Sequence, residues 1–332
     1  MSDIFYPVAH RTDAEIAALK NRYESFDASI IPDVFREHRF TAVSWIKPTS
    51  WGTSHVVFIV TVKELAIPLI LRANIGYGSP EIYMLVEKLL TDKVSSLGIP
   101  VNKILGVDIS RKKFAFDFQI QEQLVGKDVE DHFDGSQESY DALSFQLGSY
   151  IAQWGGLSFE GFGRFDETLK GTKRSMYDYI IVQLDADIQF LVTAGIVSMS
   201  QGGALRKIFD TYKDVMSVAT STLVHYDLAD HNIMLDGNQT ITGIFDWEAA
   251  VTGDPMLDLA SAPTWKTHFP RDQKLIEGYQ SVRRLPDLYE EKINIYRLRT
   301  MIWKMVYAIR AGIINSDRKN KFDAAVSPFR LF

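Results

Sequence analysis

Apolar positions follow two rhythms along the chain, one in each half. In residues 42–46, 56–62 and 67–72, short β-branched runs alternate with turn residues, which predicts consecutive antiparallel strands. The alternating run FAFDFQIQEQL at 114–124 predicts one more strand, soon followed by Gly126. Between these, helical spacing covers about 80–97. Near the start, Ile16, Leu19 and Tyr23 predict a helix over 13–26, with Thr12 or Asp13 available as its cap. Past Gly126 the pattern is mostly helical, over 140–154, 175–194, 203–219, 272–279 and 288–314.

Three short apolar runs, 221–224, 233–235 and 241–245, interrupt that helical half. Asp236-Gly237-Asn238-Gln239 between the last two is turn chemistry, so these runs should form a hairpin. Asn232 then opens its first strand and Asp246 follows its second, at the same open end, with Asp227 in the loop feeding that end. Phosphoryl transfer needs a base or positioner for the attacking hydroxyl and hard oxygen ligands for magnesium. Asp227 fits the first role, while the carboxamide of Asn232 and the carboxylate of Asp246 fit the second. Taken singly, Asp227, Asp230 and Asp246 are ordinary turn or cap residues and His225 an ordinary core histidine; their joint order sets them apart.

HYDLADHN from 225 and FDWEAAVTGDPMLDLA from 245 together resemble the aminoglycoside phosphotransferase family of kinase-like enzymes. In that family H-x-D-x-x-x-x-N precedes a D-W and then G-D-P-x-x-D. His225, Asp227, Asn232, Asp246, Trp247, Gly253, Asp254, Pro255 and Asp258 all stand in place. The resemblance implies an α+β, bilobal, protein-kinase-like fold, with a small antiparallel β-sheet N-lobe and a mainly helical C-lobe. The expected division is a helical extension at 1–35, a nucleotide-binding N-lobe at 36–124 and the C-lobe at 125–332, with a hinge near 124–127. Asp227 would be the catalytic base and Asn232 and Asp246 the magnesium ligands. His225 would tie the catalytic loop to neighbouring backbone, and Asp258 would brace that loop. Asp254 reads equally as a helix cap before Pro255 or as a functional residue.

In the N-lobe, the loop 47–54 is expected over the nucleotide phosphates, with Ser50, Gly52, Thr53 and Ser54 offering amides and hydroxyls. It holds one glycine and reads equally well as a plain hairpin turn, so its place before the catalytic block carries the phosphate reading. Arg72 in PLILRAN stands where protein kinases place a lysine on the α- and β-phosphates, supplying charge through a planar fork. Counting back from Gly98-Ile99-Pro100 makes Glu87 its acidic partner; Glu81, near the first helical turn, is explained by the helix dipole. The adenine edge is expected on hinge backbone around Gln121, Glu122 and Gln123. Met234 and Phe245 would wall the base, or simply belong to the core.

Composition narrows the setting. At 332 residues with 46% hydrophobic, the chain can bury two cores. It has no cysteine, which excludes a disulfide framework and a thiolate metal site and points to a reducing compartment. No apolar run reaches membrane-spanning length, so a soluble, cytoplasmic protein without a membrane partner is expected. A net charge of −6 argues against nucleic-acid binding on a broad basic surface and is compatible with a cationic small acceptor. Candidate acids for such an acceptor are Asp185, Asp187, Glu277, Glu290 and Glu291, with Trp154, Trp265 and Trp303 as stacking surfaces. Glu248, just past Asp246-Trp247, is the foremost substrate contact.

The expected activity is therefore transfer of the γ-phosphate of ATP (or GTP), with Mg2+, to a hydroxyl of a small molecule, first an aminoglycoside-type antibiotic. A macrolide, a choline-like amine or a sugar is the alternative acceptor. A nucleotide-binding module without transfer stays open because arginine replaces lysine at position 72. A metal-dependent hydrolase fits poorly, since His225 and His231 lack a paired ligand motif such as H-E-x-x-H.

Overall fold

The strand-rich stretch folds as a five-stranded antiparallel sheet: β1 (Val43–Pro48), β2 (Val56–Val62), β3 (Leu69–Asn74), β4 (Ile104–Asp108) and β5 (Asp117–Glu122), in the order β1-β2-β3-β5-β4. The structure is a computed structural model that describes residues 12, 14, 21–49, 55–74 and 82–329. Side chains alternate across a strand, so Phe58, Leu71 and Ile120, paired in register, all enter one core. Helix α1 (Ile31–Glu37) closes that core with Ile31, Val34 and Phe35. By the same alternation Arg72 and its register partner Gln119 fall on the opposite face. The helix expected over 13–26 lies mostly outside the described residues; from its end, Tyr23 packs edge-on against Phe58 at 5.9 Å.

Helix α2 (Tyr83–Ser95) follows β3, shorter than the expected 80–97. Its apolar row, Val86, Leu90 and Val94, turns away from the sheet and joins the larger core of the molecule with Ile244 and Trp247. Just beyond, Val101 bridges Ile244, and the Ile244 amide donates to Pro100 O at 2.9 Å. The first half is thus strapped to the second by a helix and a stretch of backbone.

The second half opens with β6 (Lys127–Asp128), α3 (Val129–His132) and the long α4 (Gln137–Trp154). Three short strands, β7 (Ser158–Phe159), β8 (Phe162–Phe165) and β9 (Gly171–Lys173), precede α5 (Met176–Ile180), α6 (Leu184–Thr193) and α7 (Met199–Thr211). The single helix expected over 175–194 is therefore broken, at Gln183 with φ +58°. The next one starts earlier than 203, at a capping box in which Ser198 and Gln201 bond each other's backbone amides.

Then follow β10 (Ser221–Val224), β11 (Ile233–Leu235), β12 (Ile241–Ile244) and β13 (Val251–Gly253). β11 and β12 form the expected hairpin, with β6 as third strand, while β10 and β13 lie in a sheet ordered β7-β10-β13-β8-β9. The chain closes with α8 (Met256–Ser261), α9 (Asp272–Gln280), α10 (Tyr289–Arg310) and α11 (Ser316–Val326), the last unanticipated. Helices α4 and α9 touch backbone to backbone: a Cβ on Gly148 would lie 2.1 Å from Leu275 O, and one on Gly278 1.9 Å from Phe145 O. Among the described residues no helix is long and apolar enough to cross a membrane.

Candidate active site

The catalytic loop leaves β10 at His225 and is held from beneath. The His225 ring Nδ1 accepts from the Asp227 amide at 3.2 Å, so Nε2 carries the proton and donates to Phe245 O at 3.1 Å. Burial drives the ring's pKa down to about 3, so it stays neutral and structural. Asp258, on α8, supplies the brace. Its Oδ2 accepts from the His225 amide at 3.0 Å and from Trp154 Nε1 at 3.0 Å, and its Oδ1 accepts from the Tyr226 amide at 2.7 Å. Burial pushes Asp258 up to about 6 against the pull of these donors.

The hairpin brings the other two groups to this loop. Ile233 pairs with Ile244, so Asn232 and Asp246 emerge side by side, and the Phe245 amide donates to Asn232 O at 3.1 Å. Asn232 donates its Nδ2 to Asp227 O at 2.9 Å, which fixes the carboxamide and leaves its oxygen free of that bond. Asp246 has left-handed backbone, φ +64°, and its carboxylate is 39% exposed. Asp227 is 8% exposed, and its Oδ1 has no hydrogen-bond partner. Burial first, and then the charge of Asp246, raise Asp227 to about 6. An orphaned carboxylate oxygen beside a carboxamide and a second carboxylate suits a hydroxyl proton and a hard cation. Among the described residues no three His, Cys, Asp or Glu gather as a complete metal cage. Magnesium characteristically takes one or two carboxylates and completes its shell with phosphate and water, so this donor set fits it.

From the sheet, Arg72 reaches the same place. Its Nη1 lies 2.8 Å from Glu87 Oε2, the expected partner, and its Nη2 lies 2.7 Å from Glu248 Oε1 and 3.3 Å from Asp246 Oδ1. Burial works against the charge of Arg72, but Glu248, Glu87 and Asp246 outweigh it and raise its pKa further. Burial likewise raises Glu87, against the pull of Arg72. Gln119 Nε2 donates to Glu87 Oε2 at 2.8 Å, and the Trp247 amide donates to Glu87 Oε1 at 3.2 Å. Gln119 was missed in the sequence, although the strand's alternation puts it in phase with this face.

Glu248 does not fill the place expected of it. The 3-10 turn Trp247–Ala249 swings its side chain toward the small lobe, where Oε1 also lies 2.8 Å from His55 Nε2. Arg72 and His55 hold this carboxylate well below its ordinary range despite burial, so it is already engaged rather than presented to an acceptor. His55 was likewise missed: one histidine at a strand start carries no motif.

Ser50, Gly52, Thr53 and Ser54 lie outside the described residues. At the hinge, the Gln121 side chain accepts from Asn102 Nδ2 at 2.7 Å. The Glu122 and Gln123 amides donate to Lys103 O and Pro68 O. The Leu124 amide is the next along the chain and has no backbone acceptor among the described residues. Met234 and Phe245 are half-buried.

The other acids and tryptophans mostly have structural work. Asp187 pairs with Arg299 at 2.9 Å inside the core, Asp185 with Arg206 at 2.8 Å and Glu277 with Lys274 at 2.7 Å, while Glu290 accepts from Tyr289 Oη at 2.9 Å. Trp154 and Trp303 are buried and so offer no stacking surface. Asp254 resolves as structural: Oδ1 accepts from the Met256 amide, and Oδ2 takes Lys292 at 2.8 Å and Tyr296 at 3.0 Å. Near Asp227 lies an unforeseen cation, the buried Lys304, which donates to Thr264 Oγ1 at 2.7 Å and sits 3.2 Å from the Trp265 ring centre.

An antiparallel sheet over a helical half, joined by a braced loop and a hairpin bearing Asp, Asn and Asp, defines the kinase-like class of phosphotransferases. The chain belongs to the phosphotransferase enzyme family APH, which it matches over residues 45–291. It is similar to crystal structures of a thermostable mutant of aminoglycoside phosphotransferase APH(4)-Ia in a ternary complex with AMP-PNP and hygromycin B (19% identity, TM-score 0.65, 90% of this chain and 98% of that one). Aminoglycoside phosphotransferase APH(2'')-Ib, ADP-bound, matches at 16% identity and TM-score 0.59 over 91% and 99%. Macrolide 2'-phosphotransferase MphH from Brachybacterium faecium matches at 18% identity and TM-score 0.56 over 90% and 98%. At these identities the likeness speaks to the fold. No curated protein matches the chain.

Proposed function

We propose that this phosphotransferase moves the γ-phosphate of ATP to a hydroxyl of a small molecule, with magnesium bound at Asn232 and Asp246. The observation that carries the reading is the convergence of the unpartnered Asp227 Oδ1 with Asn232, Asp246 and the thrice-paired Arg72 at one cleft. In this reading Asp227 orients the acceptor hydroxyl and takes its proton, and positioning supplies much of the rate. Asn232 and Asp246 hold the metal, which neutralises charge on the phosphates. Arg72, steadied by Glu87, fixes the nucleotide's phosphates, with the loop 50–54 above them. The hinge offers the Leu124 amide to the base, while Met234 and Phe245 wall it.

An aminoglycoside-type acceptor remains the first reading, resting on the net charge of −6 and on the likeness to a relative crystallised with hygromycin B. A macrolide is the second, favoured by the MphH likeness and by the pairing of most candidate acids within the protein. The test is phosphate transfer from ATP and from GTP to aminoglycosides, macrolides, choline and sugars, with magnesium omitted as control. Magnesium-dependent turnover on any of them supports the transferase, and the acceptor selects between the readings. Nucleotide binding with no transfer to any member of the panel counts against it.

A further inference from the structure

The H-x-D-x-x-x-x-N pattern leaves four positions free between base and asparagine, and this chain puts a carboxylate in one of them. Asp230 is wholly buried, and both its oxygens are taken: Oδ1 by Arg271 Nη1 at 2.7 Å and Oδ2 by Tyr140 Oη at 2.7 Å. It starts the 3-10 turn Asp230–Asn232, which has no side-chain cap and whose backbone bond runs from the Asn232 amide to Ala229 O at 2.9 Å. So short a turn does not fix its own geometry. Asn232 in turn donates to Asp227 O, so whatever fixes Asp230 fixes the direction of both residues.

The two groups gripping Asp230 come from a firm base. Tyr140 lies in the first turn of α4, and Arg271 immediately precedes α9, the two helices whose backbones touch at Gly148 and Gly278. The Tyr140 ring packs against Phe133 at 5.3 Å and Phe269 at 5.8 Å, with the Arg271 guanidinium 5.4 Å from its centre. Burial pushes the Tyr140 hydroxyl up, so it stays protonated and donates. Arg271 is as buried as its partner, and its Nε and Nη2 have no hydrogen-bond partner. A buried ion pair that strands two donors is a poor way to gain stability, because desolvation offsets most of the attraction. Its benefit is geometric.

We infer that Arg271 and Tyr140 are positioning residues for the metal-binding asparagine, acting through Asp230 to hold the turn that presents Asn232. The inference rests on the proposed role of Asn232 and needs no knowledge of the acceptor. It is read in the extra affinity that a divalent cation gives to a nucleotide. AMP-PNP binding is measured calorimetrically with Mn2+ and with EDTA, for the full chain and for Asn232→Ala, Arg271→Met and Tyr140→Phe.

The wild type should bind more tightly with Mn2+, and Asn232→Ala should lose most of that gain. Arg271→Met should lose about tenfold of it and Tyr140→Phe about threefold, with metal-free affinity within twofold of wild type in both. A purely structural loss would instead weaken binding with and without metal alike, and that result overturns the inference, as does an unchanged gain in a folded Arg271→Met. If Arg271→Met does not fold, Tyr140→Phe decides, and an unchanged gain there overturns it. A gain kept by Asn232→Ala, or absent from wild type, removes the reading of Asn232 itself and the inference with it.

Discussion

Asp227 and His225 sit two residues apart and illustrate opposite uses of burial. Asp227, lifted to about 6, is a base that works only when deprotonated, so turnover should fall as pH drops below about 6. Asp227→Asn keeps the shape and removes the base. It should lower kcat by about 10²- to 10⁴-fold while leaving AMP-PNP affinity nearly unchanged, and a variant keeping most of its turnover would refute the assignment. His225 is held near 3 from an ordinary 6.5. Between those values the unfolded chain takes up a proton that the folded ring refuses, so the contribution of His225 is full above pH 6.5 and lost as pH falls toward 3. The shift corresponds to something on the order of 5 kcal/mol. Urea unfolding of wild type and His225→Asn should therefore show a stability gap that is widest above pH 6.5 and shrinks toward pH 4.

The hairpin was legible because its signal is local: Asp236 Oδ1 accepts from the amides of Asn238 and Thr240, a bond the turn sequence carries in itself. The break between α5 and α6 was not, because its cause comes from far along the chain. Arg299, more than a hundred residues on, takes Ile180 O and Val182 O, each at 2.8 Å, and so draws off carbonyls from the end of α5. Two- and three-residue strands such as β7 and β13 are too short for any period to show. The contact of α4 with α9 also escaped, since a lone helical glycine reads as mere weakness. Gly148→Ala should cost about 3 kcal/mol through overpacking, measured by urea unfolding, because its neighbour is backbone and has no rotamer with which to yield.

Across the whole molecule, the two-part fold and the three site residues on the catalytic loop and hairpin were readable, since a dense motif and a change of rhythm both lie along the sequence. Glu248 was misplaced because a single 3-10 turn decides which side it faces. The acceptor side stayed obscure because its walls come from separated helices whose acids pair mostly with one another. Glu87 is the point where the halves meet, touching Arg72, Gln119 and the Trp247 amide at once. Glu87→Ala leaves a buried guanidinium short of its closest acid on the sheet side. It should cost roughly 3 kcal/mol in thermal or urea unfolding and weaken AMP-PNP binding, and an unaffected protein would show that the pair is incidental.

Helix α2 has a consequence for anyone who wishes to work with one half alone. The cut at the hinge is natural on paper, but residues 36–124 made as a fragment would carry Val86, Leu90 and Val94 with nothing to cover them, since their neighbours Ile244 and Trp247 remain on the other piece. Such a fragment should bind a hydrophobic dye and clump. Mixed with the complementary piece it should clear, which would make this enzyme a candidate for a split reporter whose two parts find each other through a helix rather than through the catalytic cleft.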